Sequence, residues 1–308
     1  MAAAVAPRSQ TTARGMVGAG AAVLCFSVGP LLVKVGHLPG LTLAFYRLWT
    51  GFALMAILHL GLRGALTRRA VRLSALGGLL FGVNVSFFFS AVRATTVADA
   101  NLITALQPAL ILLVAAPWFG EHVSRRTVLL TAVAIAGVAL VVIGSSGTPV
   151  WSLRGDLLAV GALVTWAGYF VVSKRARQDL SALEYMASVM GIAALVVTPI
   201  ALVSGQRLGN LHGRDVLLLA GFVLVPGAGG HLLLSWSHRY VDVSVSSIIV
   251  VAAPVLSSLA AAFVLDEPLG ALQLTGGLVV LVAIAAVVSA SAAPFGDHPE
   301  TAVETATP

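Results

Sequence analysis

Few side chains in this chain carry a charge: Asp, Glu, Lys and Arg make up 10% of its 308 residues. A soluble globular domain normally holds about 25%, so the shortage excludes that class. Cysteine is nearly missing as well. The lone Cys25 sits in an apolar run and builds neither a disulfide framework nor a cysteine metal site. Short enzyme signatures are absent too. Neither Lys34 nor Lys174 follows a glycine, which excludes a Walker phosphate loop, and the chain has no HExxH and no CxxC. No cofactor or metal is therefore expected. What fills the sequence instead is hydrophobic residues, 58% of the total. At ~20 residues per spanning helix, this length holds about ten spans and leaves no room between them for an ATPase or kinase domain. The class that survives is a polytopic membrane protein embedded in a lipid bilayer. A net charge of +6 and a pI near 10.2 would suit a nucleic-acid partner. The sixteen Arg and two Lys, however, lie mostly in short clusters between apolar runs, where membrane orientation accounts for them, so no nucleic acid is expected.

Apolar runs fall at 16–36, 41–61, 73–92, 97–119 and 127–145, and again at 155–173, 182–203, 214–236, 243–265 and 271–291. Each is about one helical span long, and strands of that length would leave backbone groups unsatisfied in lipid. Residues 1–15 read as a polar tail before a retained first helix, without a small-residue cleavage site. Residues 292–308 read as a disordered tail.

The chain repeats itself. ITALQPALILLVAAPWFGEH (103–122) resembles IIVVAAPVLSSLAAAFVLDEP (248–268). Arg93 and Arg239, Pro108 and Pro254, and Glu121 and Glu267 all stand 146 residues apart, while Lys34 and Lys174, and Phe45 and Tyr185, stand 140 apart. An insertion around Ser204–Arg214 reconciles the two offsets. The repeats are read as 16–145 and 155–291, joined by a linker at 146–154. With the N-terminus inside, twelve basic residues fall in inner segments and four in outer loops. The positive-inside rule then places both termini in the cytoplasm. Five spans is an odd number, so the second repeat enters the membrane inverted, as in many secondary transporters. The expected fold is thus all-α: ten transmembrane helices as two inverted five-helix repeats.

LAFYRLWTG around Arg47, the Pro108…Glu121 and Pro254…Glu267 segments, and LVTWAGYFVVSKRAR (163–177) together resemble the EamA type of the drug/metabolite transporter superfamily, from about Met16 to Ser291. The first repeat departs from the pattern at CFSVGPLLVK (25–34), which has no Trp. The resemblance implies a ten-helix inner-membrane carrier with a central cavity between its halves, moving amino acids, other metabolites or toxic compounds, often outward.

Polar groups in spans are costly and so mark candidate sites. Asn84 and Phe88 share a helix face. Asn101, Thr104 and Pro108 share another, and Ser244, Ser247 and Pro254 occupy the matching face of the ninth span. Trp166 and Tyr169 form an i, i+3 pair, and His231 follows the Gly227–Gly230 run. These are the candidates for a substrate cavity, with interhelical hydrogen bonding as the competing use. Pro108 and Pro254 are candidate bends or gates. Arg47 is the intramembrane charge, facing a cavity, an acidic partner or a carbonyl clamp. Asp99 and Glu184 are candidate proton carriers if the gradient drives transport. Glu121 is expected to cap a loop or pair with Arg125. Gly78 and Gly82 form GxxxG, read as internal packing in a monomer or weak homodimer. The expected function is secondary transport, as an exporter, of a small polar or amphipathic molecule, and no enzyme activity. Two rivals stand beside it: an intramembrane serine protease built on Gly144-Ser145-Ser146-Gly147 with His231 as base, and a non-transporting helical scaffold.

Overall fold

A computed structural model describes residues 8–36, 38–95, 100, 103–121, 123–146, 152–206, 208–209, 211–264, 266 and 269–292. Their secondary structure is helical, with no strand among them. In chain order the helices are α1 (Arg8–Val35), α2 (Gly40–Gly61), α3 (Arg68–Ala94), α4 (Gln107–Phe119) and α5 (Arg125–Ser146). Then come α6 (Leu153–Asp179), α7 (Ala182–Val203), α8 (Gly213–Ser237), α9 (Val243–Val264) and α10 (Ala271–Ala292). Nine of these are long and apolar enough to cross a membrane, while α4 runs for 13 residues. Large apolar side chains cover the outside, with Leu113 75% and Phe263 84% exposed. In water such a surface would aggregate, whereas in lipid it is the solvated face.

Helix starts follow local chemistry. The side chains of Thr67, Ser152 and Ser181 accept hydrogen bonds from the backbone N–H of Ala70, Gly155 and Glu184, capping α3, α6 and α7. Several helices outrun their apolar stretch. Residues 8–15, read from the sequence as tail, continue α1, and α6 extends six residues beyond 173 to Asp179. Hydropathy marks the hydrocarbon thickness, but backbone hydrogen bonding continues until a cap or breaker stops it.

Packing between the halves obeys a pseudo-two-fold. Helix α3 packs on α6, and its repeat counterpart α8 packs on α1. In the same way α4 on α6 is matched by α9 on α1, and α3 on α7 by α8 on α2. Three pairs, α2 with α7, α4 with α9 and α5 with α10, are their own counterparts. Small residues permit the closest crossings. A Cβ on Gly82 would lie 2.8 Å from Val196 Cβ and 3.0 Å from Ala193 Cα in α7, so GxxxG serves packing within the chain. One on Gly276 of α10 would lie 2.5 Å from the Gly137 carbonyl of α5.

The two repeated prolines break their helices alike. Helical residues Ile103 and Thr104 are followed by a turn at Ala105–Leu106 before α4 resumes at Gln107. In α9, Val243–Val250 is followed by a turn at Val251–Ala252 and then Ala253–Val264. Leu106 N donates to Ile103 O and Leu110 N to Leu106 O, while 146 positions later Ala252 N donates to Ile249 O and Leu256 N to Ala252 O. Pro108 and Pro254 are each the second residue of the resumed helix, where a missing N–H is tolerated.

Candidate functional site

Aromatic side chains from four helices meet at the centre of the bundle. Trp166 and Tyr169 of α6 stack at 5.3 Å, with Phe81 of α3 lying 6.3 Å and 5.1 Å from them. His231 of α8 stands edge-on to Phe81 (4.7 Å), to Phe26 of α1 (4.9 Å) and to Trp166 (5.9 Å). Helix α8 is π-helical over Val223–Gly230, around Pro226, and His231 is the first α-helical residue after it. Such π-turns are frequent at functional positions because they re-aim the side chains that follow. A Cβ on Gly230 would lie 2.6 Å from the Phe26 ring, so glycine there lets Phe26 reach His231.

Arg47 of α2 completes the cluster. Its guanidinium carbon lies 5.9 Å from the Phe81 centroid and 5.3 Å from that of Phe222 in α8, within cation–π range of both. Among the described residues no carboxylate or carbonyl accepts from its N–H groups. His231 is 6% exposed and its Nδ1 also lacks a hydrogen-bond partner. Phe222 has a second role. It lines a small recess between α1, α2 and α8, together with Leu32, Leu43, Asp215 and Leu218.

A second polar cluster closes the opposite, arginine-rich end. The buried Glu121, just past α4, accepts from Val243 N (2.8 Å), Ser244 N (3.2 Å) and Ser244 Oγ (2.5 Å) at the start of α9. Lys174 Nζ of α6 lies 3.1 Å from Glu121 and 3.4 Å from Asp242, and donates to Val241 O at 2.8 Å. A carboxylate suits a helix N-terminus, where free N–H groups and the dipole both favour negative charge. The expected pairing of Glu121 with Arg125 is therefore corrected: the partner is Lys174, and Arg125 is exposed. Helix folding brings α6 and α9 to Glu121, while Arg125 begins the next helix and points away.

The remaining candidates take varied places. Asn84 donates to the Ala162 carbonyl at 2.8 Å, tying α3 to α6. Phe88 packs near Ala91, Ala100 and Ala159, away from the aromatic cluster. Thr104 donates to Ala100 O. Ser244 belongs to the Glu121 cluster, and Ser247 donates to Ser244 O at 2.7 Å. Glu184 stands in the first turn of α7, half-buried. Asn101, Asp99 and Glu267 lie outside the described residues. Gly144 packs against Leu272 and Gln273 of α10, whereas His231 packs on α1, α3 and α6. The sequence reading missed Phe81, Phe222 and the Glu121–Lys174 pair. The last had a signal: Lys and Glu recur at the repeat offsets in a chain otherwise poor in charge.

Comparison with known proteins agrees with this architecture. The EamA-like transporter family pattern matches residues 13–143 and again residues 153–289. The chain is 28% identical over 266 residues to an uncharacterized transporter of Archaeoglobus fulgidus, covering 85% of this chain and 92% of that one. It is 26% identical over 217 residues to the pseudopaline exporter CntI of Pseudomonas aeruginosa, covering 69% and 75%. The uncharacterized transporter YyaM of Bacillus subtilis is 25% identical over 261 residues, covering 81% and 85%. A protein crystal structure superposes with a TM-score of 0.81 at 23% identity, over 93% of this chain and 98% of that one. This multi-pass membrane protein, with its two matched halves, belongs to the EamA-like transporter family.

Proposed function

We propose that the protein exports a small polar or amphipathic molecule from the cytoplasm by alternating access, with the Arg47–Phe81–Trp166–Tyr169–His231 cluster as its substrate site. The observation that carries the reading is the matched pair of helix breaks at 105–106 and 251–252 within a pseudo-two-fold arrangement. In inverted-repeat carriers, broken helices near the middle of the membrane flank the site, and one half rocks against the other. The arginine-rich end faces the cytoplasm of an inner membrane by the positive-inside rule, which puts both termini there. On this reading the Glu121–Lys174 cluster closes the cytoplasmic end, and the recess beside Phe222 opens from the outside. Pro108 and Pro254 are the hinges. Thr104 and Ser247 lie within about a turn of these bends, and Ser244 sits in the Glu121 cluster at the start of α9.

CntI is named as an exporter, and that supports the outward direction for this relative. Proton coupling fits Glu184 poorly, because a first-turn carboxylate is solvated at the interface. The test is a metabolite-toxicity screen in cells overproducing the protein, followed by flux of the hit in proteoliposomes. Trp166→Ala is expected to abolish saturable flux while the protein still folds. Full-rate flux in Trp166→Ala would place the substrate elsewhere.

A further inference from the structure

We infer that the central site takes an amphipathic monoanion, a solute with one carboxylate and a flat or apolar body, with Arg47 as its anchor. The inference rests on the reading of this cluster as the substrate site. A guanidinium inside a membrane protein is costly unless it meets an anion, carbonyls or water. Arg47 meets two phenyl rings, Phe81 and Phe222, which stabilise its charge but accept none of its five N–H donors. A fork of parallel donors matches a carboxylate.

The other unpartnered group lies on the same wall. Phe81 is flanked by the Arg47 guanidinium and by the His231 ring, whose buried Nδ1 has no partner. Two polar groups with no hydrogen-bond partner among the described residues, set around one aromatic ring, describe a place for a ligand with a charged end and one further hydrogen-bonding group. The walls are Phe81, Trp166 and Tyr169, which suit a planar body. Charge counting narrows the class. Among the described residues no second Lys or Arg joins this cluster, so a dianion would remain half-neutralised. No carboxylate among the described residues joins it either, so an ammonium group would rest on ring faces alone.

Three probes on one phenylpropyl skeleton separate these cases: 3-phenylpropionate, 3-phenylpropionamide and 3-phenylpropylamine, titrated by tryptophan fluorescence and melting temperature into purified protein. The carboxylate is expected to bind about 30-fold more tightly than the amide, as a desolvated charge pair predicts. In Arg47→Gln that preference should vanish while the amide binds as before. Arg47→Lys, which keeps the charge without the fork, should retain part of the preference, and it serves if Arg47→Gln does not fold. Equal binding of all three probes, abolished by Trp166→Ala, would overturn the anion inference and leave the substrate site standing. No saturable binding of any probe would overturn both, and a carboxylate preference that survives Arg47→Gln would assign the anchor to another group.

Discussion

If Glu121 holds the cytoplasmic end shut, replacing it with Gln should open that end by a calculable amount. The Glu121 carboxylate accepts three hydrogen bonds from α9 and an ion pair from Lys174, all in a buried setting. Removing one member of a buried pair costs about 3–5 kcal/mol. Gln keeps one carbonyl acceptor for the helix N-terminus, so the lower end applies, about 3 kcal/mol. If the contact forms only in the closed arrangement, the closed-to-open ratio falls on the order of 100-fold. Ser247 reports the change, since it is fully buried behind the cluster. In a Cys25→Ala background, Ser247→Cys should resist a membrane-impermeant maleimide added from the cytoplasmic side. It should react once Glu121→Gln is introduced. A melting temperature lowered without new labelling would make the cluster a static staple. Unchanged labelling and unchanged stability together would refute the energetic argument itself. The double variant Glu121→Gln/Lys174→Met should lose less stability than the sum of its parts, because neither mutant then strands a buried charge.

Other consequences can be measured directly. Pro108→Ala and Pro254→Ala should fold normally and slow flux severalfold, with opposite changes in cysteine accessibility at the two membrane faces; full flux in both would remove the hinges. Gly82→Leu should sharply lower the melting temperature, since Ala193 and Val196 already occupy the space, and a stable variant would mean that α3 and α7 can separate. Single cysteines at the exposed Ser204 and Arg175 should be labelled from outside and inside respectively, and a reversal would invert the topology.

The architecture was legible because lipid imposes simple rules: spans about 20 residues long, basic loops on one side, and no open strands. Ten runs read from hydropathy correspond to the ten helices α1–α10 among the described residues, nine of them long enough to span, and the offset of 146 reappears as matched backbone hydrogen bonds at the two bends. The candidate site was only half legible. Trp166, Tyr169 and His231 stood out as polar or aromatic residues in apolar spans, and they do come together. Phe81 and Phe222 did not stand out, because a phenylalanine facing a site and one facing lipid look alike in sequence. Asn84 had the opposite fate. Its amide was as conspicuous as any, yet it serves a carbonyl of the neighbouring helix. For Glu121 the sequence offers a loop cap or the nearby Arg125, whereas its ion-pair partner lies 53 residues further on, brought there by the packing of α4 on α6.

Phe222 is at once a wall of the recess and a face of the Arg47 clamp. On the proposed reading, one ring therefore separates the guanidinium from the outside, while a desolvated ion pair and a helix cap separate it from the cytoplasm. The two barriers differ in kind, and so in speed. Turning an aromatic side chain needs only a rotamer change, whereas parting Glu121 from Lys174 and α9 needs a concerted loss of four contacts. A solute on Arg47 would then exchange quickly with the outside and wait for the inside, so the slow step of the cycle would be the cytoplasmic opening that admits the next molecule.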